Sequence, residues 1–525
     1  MSSLSDPPAE SFRLSQLIND TRYRSITFQF IALILLIVAM AYLGLNLVQN
    51  LTAAGLNISY GFLGEPSGYD INQTLVEYTS QSTHWRAAVV GVLNTLLVAV
   101  LGCIMATIIG VFVGVLRLSN NWLVRKLMSI YVEIFRNVPV LIWILIIFFV
   151  MTASMPGPRS FRGEDASASM VLDSIAFTSQ GVFTPGVVGG FGAGLLLLVV
   201  IASIIGVVAY GRHVKKKLFD EGKVLPGWPR FVILFAPALL VYAAISVTVG
   251  ASKHNLVVAT DLVQPGVSLS AFSDAAIEGK FRPVYCLVEG ATESATAKAA
   301  WLNTSAMDMR NPGGLKMKTE YFASQDAAKA GFDAGECNMI SLPAGDATAA
   351  AAASDTPAVA LSDQIRNGAP LALDQTYLGN FRFTDGITVR GSLIALWFAL
   401  SIYTAAFIAE NVRAGILAVS KGQTEAAASL GLRPGRIMNL VVLPQALRVI
   451  IPPLISQYLN LTKNSSLAIA VGYMDLTGTL GGITLNQTGR AIECVLLLML
   501  FYLTISLAIS ALMNVYNNAV KLKER

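Results

Sequence analysis

Charged side chains are scarce in this chain of 525 residues. Asp, Glu, Lys and Arg together make up 13% of the sequence, hydrophobic residues make up 54%, and the mean hydropathy is +0.61. An average soluble domain is about 25% charged. The scarcity therefore argues against a soluble protein and predicts a polytopic membrane protein that contacts lipid. The formal net charge of +5 is too mild to indicate nucleic-acid binding.

Cysteine, histidine and the short motifs of catalysis are also sparse. The sequence has four cysteines in no CxxC pair and three scattered histidines, so zinc and redox sites are disfavoured and we expect no metal site. It contains no HExxH, GxSxG or GxxxxGK[ST] motif. We therefore expect no catalytic residue and no cofactor in this chain. If ATP drives its activity, partner subunits must hold the ATP and Mg.

Long apolar runs are the dominant feature that is present. A helix needs about 20 apolar residues to cross the hydrocarbon core. Eight runs meet this requirement, at residues 27–49, 88–116, 127–151, 187–210, 231–249, 390–412, 449–474 and 491–516. The fold class predicted from them is an all-α polytopic membrane protein with about eight transmembrane helices.

The basic residues predict the direction of the spans. Lys and Arg are enriched in cytoplasmic loops. Five separate clusters fall on one side of the membrane if both termini are cytoplasmic: Arg13, Arg22 and Arg24; Arg117, Arg125 and Lys126; Arg212 and Lys215 to Lys217; Arg413 to Arg448; and Lys521, Lys523 and Arg525.

This topology leaves a large insertion on the external side, at residues 250–389. Its strand-like and helix-like segments alternate, which predicts a small α/β unit of βαβαβ type. Residues 344–358 are interpreted as a linker from their Ala, Asp, Pro and Ser content. Cys286 and Cys337 fall on the first and third predicted strands, so an external disulfide is one interpretation and two reduced core cysteines are the other.

Four regions follow from these predictions. Residues 1–87 hold a cytoplasmic tail, the first span and a periplasmic loop, and residues 88–249 hold spans two to five. Residues 250–389 are the periplasmic α/β insertion. Residues 390–525 hold spans six to eight, with a cytoplasmic loop at 413–448.

A short alanine-rich helix is predicted inside that loop. Thr424 is expected to cap a helix that begins at Glu425, Gly431 is a natural C′ residue, and Pro434 suits the first turn of the next helix. About six residues cannot sustain a helix alone in water. We expect it to dock into a partner, and packing on the ends of its own spans is the alternative.

The spacing around this helix resembles a known family. Glu425, Ala426 and Ala427, followed by Gly431 and then Leu443 with Pro444, are similar to the EAA loop of ABC-importer permeases, with Val441 where isoleucine is usual. Four further segments resemble the polar amino-acid branch of that family: "GVLNTLLVAVLG" (91–102), "EIFRNVPVLIWILIIFF" (133–149), "YTAAFIAENVRAGILAVSKGQTEAA" (403–427) and "NLTKNSSLAIAVGYMDL" (460–476). The chain most resembles the permeases of general L-amino-acid transport systems of Gram-negative bacteria.

The resemblance implies a type I permease core of five helices, made of spans two, three, six, seven and eight. It implies an inner-membrane complex with a sister permease as hetero-dimer, two ATP-binding subunits and a periplasmic amino-acid-binding protein. The segment from Thr424 to Pro444 would contact an ATP-binding subunit. The insertion is similar to part of one lobe of such a binding protein, whose two cysteines match Cys286 and Cys337; an unrelated βαβ cap is the alternative.

Two other classes of function remain as alternatives. A secondary amino-acid transporter driven by an ion gradient is expected to show repeated halves and buried carboxylates in mid-span, and no acidic residue lies at the centre of any predicted span. A membrane-embedded enzyme lacks a cluster of catalytic groups.

Polar residues inside the seventh span suggest a substrate path. Lys463, Asn464, Ser465 and Ser466 are costly in lipid. We hypothesise that the helix breaks or widens there, so that Ser465 or Ser466 caps a half-helix that runs to Gly472 and whose amides attract a substrate carboxylate. Bonds between helices, or an external mouth, are the alternative role.

Three other sites are predicted near the spans. Asn94, Thr95 and Pro139 are assigned to the path, and Pro139 is also expected to kink span three, near Arg136. Glu410 and Arg413 are expected to form an i,i+3 ion pair. The three histidines are expected on the surface or in loops.

Overall fold

The computed structural model describes residues 21–520 except 54, 56–57, 164, 224, 250–251, 305–314, 354–356, 368 and 380. Four of the predicted topology markers, Arg13, Lys521, Lys523 and Arg525, lie outside these residues. The α-helices are α1 (Thr21–Ala53), α2 (His84–Leu116), α3 (Trp122–Asn137), α4 (Val140–Ser154), α5 (Ala193–Glu221), α6 (Pro229–Val249), α7 (Leu269–Glu278), α8 (Thr292–Leu302), α9 (Gln325–Asp333), α10 (Ala344–Ala353), α11 (Gly391–Leu417), α12 (Lys421–Ser429), α13 (Pro434–Ile437), α14 (Leu443–Asn464), α15 (Leu485–Thr488) and α16 (Ala491–Val520).

The strands are short and belong to the insertion and to the loop after span three. They are β1 (Ala176–Thr178), β2 (Gly181–Thr184), β3 (Gly186–Gly189), β4 (Ser252–Ala259), β5 (Val284–Val288), β6 (Lys318–Phe322), β7 (Met339–Pro343), β8 (Ala358–Ala360), β9 (Ile365–Asn367), β10 (Leu371–Asp374), β11 (Tyr377–Leu378), β12 (Phe383–Thr384) and β13 (Ile387–Arg390).

Eight helices of the described chain are long and apolar enough to cross a membrane, which confirms the predicted number. The third differs from its prediction, because it begins at Val140 and not near residue 127. Val138 and Pro139 are both extended and separate α3 from α4. Proline lacks an N–H and disfavours helical backbone at the residue before it. Pro139 therefore divides the segment into two helices, where a kink in one helix was expected.

The central element of the membrane part is α11. It packs against α2, α3, α4 and α14, and its residues supply much of the largest buried cluster. Two glycines of α2 allow the closest approach: a Cβ at Gly110 would stand 2.6 Å from Cβ of Ile408, and one at Gly114 would stand 2.7 Å from the carbonyl oxygen of Ala409. Small residues at such contacts let membrane helices pack closely.

The other spans lie around this centre. α16 packs on α14 and on the segment 477–484, whereas α5 and α6 pack chiefly on each other. None of the described side chains of α1 is buried. The arrangement agrees with the predicted core of spans two, three, six, seven and eight.

The insertion is the predicted small α/β unit. Its main sheet has the order β6-β5-β7-β4-β8, and β5 runs parallel to both β6 and β7 while β4 is antiparallel to β7. The helices α8 and α9 connect the three parallel strands, as the βαβαβ pattern predicts. Cys286 on β5 and Cys337 before β7 are joined in a disulfide, with their Cα atoms 5.5 Å apart.

The linker interpretation of residues 344–358 is wrong for most of its length. Residues 344–353 form α10, and Ala347 and Ala350 are buried against the sheet. Alanine is the strongest helix former, and the sheet supplies an apolar surface for one face of the helix. Composition alone does not reveal that surface.

The insertion continues into the loop that follows span three. β2 pairs with β13, and β3 pairs with β10, both antiparallel. The last strands of the insertion and residues 176–189 thus form one unit, which the predicted boundary at residue 250 divides. β13 ends at Arg390, immediately before the central helix α11.

Candidate functional site

The segment 421–444, here called the coupling segment, lies at one end of the helix bundle. Its helix α12 has nine residues and begins after Ser420, whose backbone is extended. Thr424 is not the N-cap that was expected: it lies inside α12, and its Oγ1 donates to the carbonyl oxygen of Lys421 at 2.6 Å. The helix extends one turn further back, to Lys421, and this turn includes Gly422 despite the low helix propensity of glycine.

The end of α12 follows its prediction. Gly431 has φ +78°, and its N–H donates to the carbonyl oxygen of Ala428 at 2.9 Å. This is the left-handed C′ position that favours glycine. Pro434 begins α13. The chain then passes through one π turn, Met438–Val442, and reaches Leu443 and Pro444 at the start of α14.

The coupling segment has one packed face and one open face. Ala427 is buried against Ile437 and Val442, which lie in the turns that lead into α14. On the open face Glu425, Ala426, Ala428 and Ser429 are exposed, and Leu430 is 81% exposed. The alternative of packing on its own chain thus holds for one face only, and the other face is free to meet a partner.

A carboxylate at the same end joins three helices. Glu410 of α11 accepts from Arg117, and its oxygens lie 3.2 Å from Arg413 and 3.7 Å from Arg136. Arg136 also lies over the ring of Phe407, 5.4 Å from its centroid. The expected i,i+3 pair of Glu410 and Arg413 is present within this larger group. The cluster holds the ends of α2, α3 and α11 together.

The helix neither breaks nor widens at residues 463–466, contrary to the hypothesis. The chain passes from α14 directly into a 3-10 helix, Ser465–Val471, which ends at Gly472 with φ +69°. Ser465 donates its hydroxyl back to the carbonyl oxygen of Thr462 at 2.8 Å. Neither serine caps a half-helix, because the helix tightens here and its amides stay bonded within the chain. Ser465 is buried, Asn464 and Ser466 are half-buried, and Lys463 is exposed.

Asn94 and Thr95 are buried between elements and do not line an open path. The Asn94 Nδ2 donates to the carbonyl oxygens of Gln73 and Met474, each at 2.8 Å. The Thr95 hydroxyl accepts from the Leu476 N–H at 3.1 Å. These two side chains therefore fasten α2 to the segment after span seven. Bonds between helices were the alternative role that the sequence analysis left open for the polar residues of span seven.

Asp475 is a buried group that the sequence analysis missed. Its Oδ1 accepts from the N–H of Gly478 at 2.9 Å, and its Oδ2 accepts from the hydroxyl of Tyr502 on α16 at 3.2 Å. An acidic residue just before an apolar run is the usual N-cap signal, and that signal was available here. Asp475 joins the segment 477–484 to the last span.

Two of the three histidines are buried, contrary to expectation. The Nδ1 of His84 lies 3.2 Å from the Thr484 hydroxyl, and the Nδ1 of His254 lies 3.4 Å from the Ser341 hydroxyl. Burial lowers the pKa of His254, which keeps its ring neutral at neutral pH. Among the described residues, no group of three or more His, Cys, Asp or Glu side chains could hold a metal ion.

Comparisons with known proteins agree with this architecture. Residues 371–522 match the family described as binding-protein-dependent transport system inner membrane component. The chain is 41% identical, over all of both sequences, to the glutamate/glutamine/aspartate/asparagine transport system permease protein BztB of Rhodobacter capsulatus.

Two further relatives are similar along almost their whole length. The general L-amino acid transport system permease protein AapQ of Rhizobium johnstonii is 34% identical, covering 96% of this chain and 94% of that protein. The putative amino-acid ABC transporter permease protein YhdX of Escherichia coli is 33% identical, covering 96% and 95%. With a central helix, five packed spans and full-length similarity to such proteins, the chain belongs to the family of amino-acid ABC-transporter permeases, which are multi-pass inner-membrane proteins.

Proposed function

We propose that this permease is one half of a hetero-dimeric pore that passes L-amino acids from a periplasmic binding protein to the cytoplasm. A sister permease forms the other half, and two ATP-binding subunits hold ATP and Mg. Both chain termini and the coupling segment face the cytoplasm. The names of the relatives support glutamate, glutamine, aspartate and asparagine as first substrates to test.

The observation that carries this proposal is the two-faced coupling segment. A partner that presses on the open face around Glu425 also presses on Ala427, which is packed on Ile437 and Val442. The chain beyond Val442 continues as one helical segment through α14 to Val471. Ile416 and Val419, at the end of α11, border the same cluster. Closure of two ATP-binding subunits would therefore move spans six and seven together, as alternating access requires.

No covalent chemistry is assigned to this chain. Permease subunits are not enzymes, and hydrolysis belongs to the ATP-binding subunits. Membership of the ABC family leaves the alternative of an ion-gradient-driven transporter without support.

The test uses the complete complex in proteoliposomes, with labelled amino acids offered together with the binding protein. Uptake is expected only when ATP and Mg are enclosed on the side of the coupling segment. Glu425→Arg should reduce uptake at least tenfold and weaken retention of the ATP-binding subunits during purification. Asp220→Arg makes the same charge change on an exposed residue near the end of the peripheral helix α5 and should leave both unchanged.

Two results would contradict the proposal. The purified permease alone could catalyse uptake, or Glu425→Arg and Asp220→Arg could behave alike.

A further inference from the structure

The insertion has two covalent connections to the spans, and they differ in what they can move. Its beginning follows α6, which packs chiefly on α5 at the edge of the bundle. Its end, the strand β13, leads directly into α11, the central helix. A displacement of the insertion therefore reaches the core most directly through Arg390, the last residue of β13.

Arg390 is held by a loop that precedes span two. Its backbone N–H donates to the Gln73 side-chain Oε1 at 3.2 Å, and its Nε donates to the carbonyl oxygen of Asn72 at 3.2 Å. The loop is itself anchored, because Ile71 is buried against Ala87 and Val90 of α2. Gln73 thus stands between the exit of the insertion and the membrane helices.

The same residue reaches two further elements through its backbone. The Gln73 carbonyl oxygen accepts from Asn94 of α2, and the same Asn94 amide donates to Met474, just after span seven. Tyr473 adds a bond from its hydroxyl to the Asn94 carbonyl oxygen at 3.2 Å. We call the group of Gln73, Asn94, Met474 and Arg390 the junction. It brings together the insertion and the ends of spans two, six and seven.

Asn94 is the buried member of the junction, whereas Gln73, Met474 and Arg390 are half-buried. Asn94 has no exposed surface, yet its Oδ1 has no hydrogen-bond partner among the described residues. A buried acceptor without a donor is unfavourable. A second arrangement of the junction that supplies a donor would relieve it, which suits a contact that is remade during a transport cycle.

We propose that Gln73 is a positioning residue, through which engagement of the insertion by an external protein partner is transmitted to the ends of spans two, six and seven. This inference rests on the proposed function, because it requires an external partner that delivers substrate. Beyond the proposed function, it states that the Gln73 side chain transmits the effect of partner binding to the spans and contributes neither to docking of the partner nor to folding.

The experiment compares three variants in the reconstituted complex. Gln73→Met keeps the length of the side chain and removes the acceptor for Arg390. Gln73→Glu keeps an acceptor at the same place. Asn72→Ala is the matched control, because Asn72 contributes only its backbone carbonyl to Arg390. All three leave the backbone bond from Asn94 to Gln73 in place.

We expect Gln73→Met to lower the maximal uptake rate, and the ATP hydrolysis stimulated by loaded binding protein, at least fivefold. The binding-protein concentration for half-maximal stimulation and the unstimulated hydrolysis should stay within twofold of the wild type. Gln73→Glu should recover at least half of the lost rate, and Asn72→Ala should match the wild type. Equal amounts of assembled complex, measured by size-exclusion chromatography, exclude a folding defect, and Gln73→Ala is the substitute variant if Gln73→Met fails to assemble.

Three results would overturn the inference. Gln73→Met could match Asn72→Ala, or it could change only the half-maximal concentration, which would make Gln73 a docking residue. Gln73→Glu could also be as defective as Gln73→Met. If the wild-type complex itself fails to couple ATP hydrolysis to uptake, the proposed function fails and the inference fails with it. If the wild-type complex couples the two and Gln73→Met behaves like the wild type, only the inference is overturned.

Discussion

Lys298 shows how a single side chain joins two parts of this protein. It lies on α8 with no exposed surface, and its ammonium contacts Asp385 and lies 2.9 Å from Asp374. The Tyr321 hydroxyl donates to Asp385 at 2.7 Å. Burial, and the neighbouring carboxylate of Asp385, raise the pKa of Tyr321, so it remains a donor at neutral pH. The cluster fastens the main sheet of the insertion to the strands that lead into α11.

Removal of this ammonium should loosen that attachment. Breaking a buried ion pair by removing one partner costs about 3–5 kcal/mol, because a buried charge is left uncompensated. Lys298→Met should therefore increase hydrogen–deuterium exchange in α8 and β10 of the full-length protein. Lys318→Met, at a lysine whose side chain is 78% exposed, should leave exchange unchanged, since exposed pairs contribute about 0–1 kcal/mol. Equal protection in both variants would show that the cluster does not hold the insertion.

Among the helices, α12 depends most clearly on its surroundings. Nine residues are fewer than the roughly 12–15 that an isolated helix needs in water, and Ala427 supplies its buried contact. Ala426 and Ala427 are neighbours on different faces of this helix: Ala426 is exposed and Ala427 is 6% exposed. Substitutions at the two positions can therefore distinguish an effect on folding from an effect on partner binding.

Two leucine substitutions make this separation measurable. Ala427→Leu should overpack the contact with Ile437 and Val442 and lower the free energy of unfolding by about 1–3 kcal/mol. Ala426→Leu should leave thermal unfolding of the purified permease unchanged and weaken binding of the ATP-binding subunits in a pull-down assay. If Ala426→Leu binds them as the wild type does, the open face is not the contact surface.

The complete chain places the coupling segment and the insertion at opposite ends of the bundle, since one follows α11 and the other precedes it. Single-cysteine labelling in intact cells tests which end faces inward. In a variant lacking both free cysteines, Cys103 and Cys494, a Glu425→Cys side chain should react with a membrane-impermeant maleimide only after the inner membrane is opened. A Glu278→Cys side chain in the insertion should react once the reagent reaches the periplasm. Reversed labelling would reject the proposed orientation, and with it the contact between Glu425 and a cytoplasmic partner.

Some features of this protein follow from local sequence and were predicted on that basis. A span must satisfy its backbone hydrogen bonds within itself and present apolar side chains to lipid, so its length and composition identify it without knowledge of its neighbours. The C′ position of Gly431 and the helix start at Pro434 are equally local, because each depends on the backbone preference of one residue. The βαβαβ pattern of the insertion is likewise visible in the sequence, as an alternation of strand-like and helix-like segments.

Other features depend on partners that are distant in the chain. Gln73 and Arg390 are 317 positions apart, and Asn94 and Met474 are 380 positions apart. A polar residue in a span is costly in lipid and needs a partner, but its own neighbours do not say whether that partner is a substrate or another helix. For that reason Asn94 and Thr95 were assigned to a substrate path. The alanines of α10 were assigned to a linker because composition does not reveal the sheet that buries one face of the helix. Spans, turns and the coupling pattern were determined by the order of residues along the chain, whereas the junction and the Lys298 cluster were decided only when packing brought distant polar groups into contact.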